Sequence, residues 1–149
     1  MPWQTERLRV EPFRPEDWEE LYPILSDAAV MRHIEPPFTP ERTRAFLREA
    51  GELVYAVRLG ENLAGRLIFH PLGAEWELGW ILARQFWGRG LASELTAGAV
   101  EYAREHNIPG LVIEFDPAQA ASRRIAQKCG FVFRGLEEGL EVWHLTLAQ

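Results

Sequence analysis

At 149 residues, 47% hydrophobic and 26% charged, the chain has the size and polarity of one globular domain with a real core. Its net charge of −6 weighs against nucleic acid as the main partner, because phosphate binding is driven by clustered positive charge, and leans toward a cationic or amine-bearing one. The lone Cys129 excludes an intrachain disulfide and a cysteine-rich metal site. No apolar run approaches the ~20 residues of a membrane span, and residues 1–7 lack a signal-peptide core, so no membrane partner and a cytoplasmic address are expected.

Taken in order, residues 8–12 form a short strand, and Pro15-Glu16-Asp17 opens an amphipathic helix to about Ser26, with Trp18, Leu21, Tyr22 and Leu25 at helical spacing. Residues 33–38 cannot be helical through Pro36 and Pro37. Thr39-Pro40-Glu41 then caps a second helix running to about Ala50. Residues 53–59 alternate as a strand, residues 60–62 turn, and residues 63–70 make a second strand, so the pair is a hairpin.

After a turn at residues 71–74 a third strand covers residues 75–82, with Glu75, Glu77 and Gly79 on one face and Trp76, Leu78 and Trp80 on the other. A helix over residues 91–105 carries Leu91, Leu95, Ala99 and Tyr102 in one stripe. Residues 111–115 form a strand; Asp116 as N-cap and Pro117 as first helical residue start a last helix that ends at Gly130. Residues 131–134 and 140–147 finish as antiparallel strands. The succession gives one α/β (α+β) domain over residues 1–149, a mixed sheet with helices on its faces.

The chemistry is carried by Gln85-Phe86-Trp87-Gly88-Arg89-Gly90-Leu91-Ala92, between strand and helix. Gly88 and Gly90 let the backbone turn tightly and a ligand approach it, since neither carries a Cβ. At the first turn of the helix the amide N–H groups lack partners and sit at the positive end of the macrodipole, which suits a phosphate or pyrophosphate. Arg89 adds a full positive charge. A dinucleotide GxGxxG would need glycine at Ser93, and a Walker loop needs a Gly-Lys-Ser/Thr that is absent. The string does fit Q/R-x-x-G-x-G/A, with Gln85, Gly88 and Gly90 in register.

That loop resembles the pyrophosphate loop of the GNAT acyl-CoA-dependent N-acetyltransferases. Four stretches in family order resemble the RimJ/RimL-like branch, which acetylates ribosomal-protein N-termini: Thr5-Glu6-Arg7-Leu8; Glu77-Leu78-Gly79-Trp80; the glycine loop through Ser93-Glu94; and Ser122 with Lys128-Cys129-Gly130-Phe131. The resemblance implies a mostly antiparallel sheet of about six to seven strands with about four helices. It also implies acetyl-CoA as co-substrate, no metal, and room for a homodimer. The loop residues Gln85, Gly88, Arg89, Gly90, Leu91 and Ala92 would hold the CoA. One departure stands out: where the family has Asn-x-x-Ser, this chain has Gln119-Ala120-Ala121-Ser122. Gln119 either reaches the pantetheine arm or serves a capping box with Asp116.

An amine attacks a thioester only as the neutral base, and free amines are mostly protonated at pH 7. By its place on the strand leading into the loop, and by resemblance, Glu77 is the candidate base, with Glu75 and Glu114 in reserve. Ser122 matches the position that protonates the leaving thiolate, and a backbone N–H near Leu82 would hold the oxyanion. His33, His70, His106 and His144 show no ligand spacing. The expected activity is acetyl transfer to a primary amine, of a protein N-terminus or a small molecule, by direct attack in a ternary complex. The alternatives are a CoA-binding sensor or scaffold that does not transfer, kept open by Gln119, and a general nucleotide-binding regulator.

Overall fold

A computed structural model describes residues 3–147. They form one eight-stranded sheet: β1 (Trp3–Gln4), β2 (Arg9–Pro12), β3 (Val54–Leu59), β4 (Asn62–Leu72), β5 (Glu75–Leu82), β6 (Gly110–Phe115), β7 (Val132–Glu137) and β8 (Leu140–Thr146). Their spatial order is β1-β2-β3-β4-β5-β6-β8-β7. Five helices accompany it: α1 (Trp18–Leu25), α2 (Ala28–Met31), α3 (Pro40–Ala50), α4 (Leu91–Glu105) and α5 (Ala120–Lys128).

The fold class is as expected, with one more strand and one more helix than the resemblance implied. The additions are small. β1 is a two-residue strand paired to β2, and α2 is a single turn started by the Asp27 carboxylate, which accepts from the Ala29 N–H. Neither is long enough to show hydrophobic periodicity.

A two-residue turn, Gly73-Ala74, joins β4 to β5, so Leu72 pairs with Glu75, His70 with Glu77 and Arg66 with Ile81. β4 continues through Pro71 to Leu72, two residues past the strand end that the turn signal suggested. Pro71 is tolerated because its missing N–H would face β3, whose pairing to β4 stops at Val54↔Ile68. The one parallel pair is β5 with β6, and the α4 crossover between them is what a parallel pairing requires.

α4 lies on the sheet face that carries Leu67, Phe69 and Leu78. Leu91, Leu95, Ala99 and Tyr102, the anticipated stripe, are all buried there. Tyr102 stacks on Trp3 at 5.0 Å and meets Phe69 edge-on at 5.8 Å. α1 and α3 pack together near the other face. Here Arg58, 4% exposed, divides its donors between Glu11 (2.6 Å) and Asp17 (2.8 and 3.2 Å), so a buried charge is fully partnered.

α5 corrects one expectation. Asp116 is not its N-cap and Pro117 is not helical: Asp116 Oδ1 instead accepts from the Ala118 N–H at 2.8 Å, which spends the side chain on a tight turn. The helix begins at Ala120, with Gln119 in the cap position. It ends as anticipated, with Gly130 left-handed at φ +88 and the Phe131 N–H donating to the Ala126 carbonyl.

Candidate active site

β5 and β6 run side by side for two registered pairs, Trp76↔Leu111 and Glu77↔Val112, and then part, although β5 continues to Leu82 and β6 to Phe115. From the end of β5 the chain passes through the glycine loop into α4. From the end of β6 it passes through residues 116–119 into α5. A groove of about 730 Å³ lies in this fork, lined by Leu82, Gly88, Gly90, Gln119 and Ser122 among others.

The loop presents donors. Gly88 and Gly90 adopt φ +75 and +74, a left-handed backbone that side chains rarely adopt. Nothing lies within 4 Å of where a Cβ at Gly88 would stand. Residues 88–90 are exposed. Among the described residues, no protein group accepts from the N–H groups of residues 88–93. They converge at the head of a 15-residue helix, where the dipole favours an anion.

Leu82 completes the donor set. The Ala83 N–H donates to the Ala64 carbonyl at 2.8 Å. The alternation of an antiparallel ladder therefore turns the N–H and carbonyl of Leu82 away from β4, into the fork. The carbonyl is satisfied by Trp87, whose Nε1–H donates to it at 2.9 Å, and the N–H has no acceptor among the described residues. Trp87 had no assigned role in the sequence. Only a fold that splays the strand leaves that carbonyl needing a donor.

Two of the four motif stretches turn out to be one structural unit. Glu94 accepts from the Thr5 hydroxyl at 2.5 Å and from the Arg7 backbone N–H and Nε at 2.8 and 2.7 Å, while Arg7 Nη1 donates to the Arg89 carbonyl at 2.9 Å. The N-terminal segment thereby braces the glycine loop. The Arg89 side chain rests by the Phe86 ring at 5.4 Å and is outside the groove lining. Gln85 lines a separate hollow with Glu19 and Glu20. Leu91 is buried in the core and Ala92 half-buried, so they offer the groove mainly their backbone.

On the other wall Ser122 lines the groove, and its hydroxyl has no partner among the described residues. Gln119 is drawn into the preceding turn, its Oε1 accepting from the Asp116 N–H at 3.1 Å; its amide nitrogen is left over. Arg123 locks this wall to β8. It donates to the Pro117 carbonyl at 2.6 Å and to Glu141 at 2.6 and 3.2 Å, which holds the Glu141 carboxyl below the usual range together with the Trp143 N–H.

Glu77 stands at the last paired rung before the fork opens, half-buried, with His70 Nε2 3.0 Å from its Oε1. His70 Nδ1 faces the Pro71 carbonyl at 2.8 Å, where it can only donate. With Nδ1 donating there, Nε2 donates to the Glu77 carboxylate only when the ring carries both protons. Glu75 is engaged by Arg134 at 2.9 Å. Loss of water around its carboxyl, then the fields of Glu77, Glu137 and Glu138, pushes Glu114 up. Cys129 is half-buried and burial raises its thiol pKa, which suits packing rather than nucleophilic attack. Among the described residues no group of three or more potential ligands could hold a metal, and no helix is long and apolar enough to cross a membrane.

The forked strands, the open glycine loop and the paired helix starts agree with a family match: residues 7–132 fit the model of the acetyltransferase (GNAT) domain. The chain belongs to the GNAT acetyltransferase family. A GNAT-family acetyltransferase from Bacillus anthracis superposes with a TM-score of 0.90 at 26% identity, covering 98% of each chain. The uncharacterized N-acetyltransferase YnaD of Bacillus subtilis (strain 168) is 29% identical over 93% of this chain and 90% of its own. RimL, described as a ribosomal L7/L12 alpha-N-protein acetyltransferase in complex with coenzyme A, shares the fold with a TM-score of 0.83 at 18% identity, covering 99% and 98%. Acetyl transfer is the activity that membership of the GNAT family brings.

Proposed function

We propose that the protein is an acetyl-CoA-dependent N-acetyltransferase that acts on a primary amine by direct attack in a ternary complex. The observation that carries the reading is the run of unpaired N–H groups over residues 88–93, open to the groove at the head of α4. The open space at Gly88 and the fork beyond Glu77 fit a long, acceptor-rich molecule such as acetyl-CoA. Residues 88–93 would hold its diphosphate, and the Gln119 amide nitrogen and the fork its pantetheine arm.

Bound acetyl-CoA supplies an acetyl thioester. Glu77, held by His70, takes the proton from the incoming ammonium or from a water beside it, so that the neutral nitrogen attacks. As the new C–N bond forms, the Leu82 N–H stabilises the negative charge that builds on the acetyl oxygen. When the C–S bond breaks, the Ser122 hydroxyl gives its proton to the departing thiolate, and the nitrogen sheds its second proton, through water, to restore the hydroxyl. The products are an acetamide and free CoA.

The test is purified protein with acetyl-CoA and a panel of N-terminal peptides and small amines, following free thiol. Release that depends on the amine supports transfer. Tight acetyl-CoA binding with no release over the whole panel, unaltered by Glu77→Gln, would replace it with a CoA sensor or scaffold.

A further inference from the structure

Arg66 has no part in the chemistry above, and its surroundings are unusual. It lies in the middle of β4, between Ala56 of β3 and Ile81 of β5, and is 7% exposed. Among the described residues its guanidinium makes no hydrogen bond or ion pair, and Nε is closed off from the surface without an acceptor. The Phe46 ring lies 5.5 Å from Cζ. The carboxylates whose charge reaches it, Glu35 and Glu77, are engaged elsewhere: Glu35 with Arg42 at 2.5 Å and Glu77 with His70 at 3.0 Å. Burial lowers the Arg66 pKa to about 10, so it remains a cation at neutral pH.

A cation buried against an aromatic ring with no carboxylate to meet it is costly for a fold to carry. This chain elsewhere avoids it. Arg58, on the adjacent strand and equally buried, is met by two carboxylates. A local rule broken at one position and kept next door points to a ligand that resolves it. The position fits. Ile81, directly opposite Arg66, lines the groove, and Glu77 lies four residues back along β5 on the same face. Arg66 and the candidate base therefore share one face of the sheet, next to the groove that Ile81 lines though outside its lining themselves.

We propose that the acceptor is an amine that also carries an anionic group, a carboxylate or phosphate, and that Arg66 receives that group. The inference rests on the transferase reading and adds the substrate class to it. The guanidinium fork matches either oxyanion with two parallel hydrogen bonds. The anion can belong to a small amino acid or phosphoamine, or to an acidic first residue of a peptide.

The experiment compares matched acceptors at saturating acetyl-CoA: γ-aminobutyrate with butylamine, phosphoethanolamine with ethanolamine, and a peptide beginning with Glu with one beginning with Gln. Wild type is set against Arg66→Gln and Arg66→Lys. In wild type at least one anionic member exceeds its neutral partner in kcat/KM by roughly 10- to 100-fold, the range of a charge-assisted hydrogen bond, and the responding pair identifies the source. Arg66→Gln brings that ratio to within about 3-fold, mainly through the KM of the acceptor, and leaves acetyl-CoA affinity unchanged. Arg66→Lys retains part of the preference.

An equal ratio in wild type and Arg66→Gln, or a preference for neutral amines, overturns the inference and leaves acetyl transfer standing; failure to bind acetyl-CoA overturns both. Thermal denaturation decides the matter even for a silent panel. Arg66→Met raises the midpoint if the charge is kept for a ligand, and a lowered midpoint would make Arg66 a structural residue and end the proposal.

Discussion

Gly90 offers the sharpest test of the loop, because its two possible failures can be separated. It holds φ +74 and ψ 12 immediately before α4. A Cβ there would lie 3.7 Å from Arg7 Nη2, an ordinary contact, so substitution meets no collision and the cost is conformational. For an L-residue that conformation costs about 1–2 kcal/mol, and more for a β-branched one. Gly90→Ala can bear this in the folded state, losing about 1 kcal/mol and roughly 2–4 °C in Tm for a chain of this length. Alternatively the peptides on either side rotate, which re-aims the N–H groups of Leu91 and Ala92 and weakens acetyl-CoA binding by about tenfold per 1.4 kcal/mol. Gly90→Val pushes harder toward the second outcome. Calorimetric titration with acetyl-CoA and thermal melts of each variant measure the two quantities together. If Gly90→Val kept both its Tm and its acetyl-CoA affinity, the strained loop would not be the anion site.

Three further outcomes are expected. Glu77→Gln should lower kcat by at least about 100-fold at neutral pH, the usual worth of a positioned base, while acetyl-CoA affinity stays put; an unchanged rate and pH profile would remove Glu77 from the mechanism. Asp17→Ala should cost about 3 kcal/mol in urea denaturation, since it strips Arg58 of one carboxylate partner and leaves a buried charge half-compensated; a change below about 1 kcal/mol would mean that Glu11 suffices. Acid should destabilise the fold through Glu11 and Glu141. Hydrogen bonds from Arg9 and then Arg58 depress Glu11, and those from Arg123 and then Trp143 depress Glu141. Folded values below the unfolded carboxyl near ~4.3 mean stability that is complete above that pH and lost as pH falls through the folded values. Urea midpoints that stay level down to about pH 3 would contradict this assignment.

The parts of this structure legible in the sequence were those whose cause is local. α4 begins at Leu91 and ends at Glu105, as its stripe and its flanking Gly90 and Asn107 indicate. The β4–β5 pairing was within reach as well: folding the chain about Gly73-Ala74 brings His70 to Glu77 and Arg66 to Ile81. Reading the turn as four residues because of Pro71 hid those pairs. Asp116 misled for a related reason, since Asx turns and N-caps use the same side chain and the same short spacing. The divergence of β5 from β6 has no local signature. It depends on where α4 and α5 leave the sheet, and with it went the role of Trp87 and the isolation of Arg66, which in sequence is one more residue of an alternating strand.

The polarity of the groove follows from how the fold disposes of its acceptors. At the fork the Leu82 carbonyl is taken by Trp87, at the loop the Arg89 carbonyl by Arg7, at the start of α5 the Pro117 carbonyl by Arg123, and Gln119 Oε1 by the Asp116 N–H. The chain thus ties up oxygens around the rim one after another with its own side chains and turns. Among the described residues, the donors left without an acceptor along the groove include the N–H groups of Gly88 and of residues 90–93, the Leu82 N–H and the Ser122 hydroxyl. A groove that offers donors while its acceptors are engaged selects a ligand rich in oxygen and poor in protons, as diphosphates and thioester carbonyls are, and disfavours one that must itself donate. Trp87→Phe is the substitution that most directly disturbs this division. It returns an unsatisfied carbonyl to the fork beside the Leu82 N–H without altering the glycine loop, so it should lower kcat more than it weakens acetyl-CoA binding.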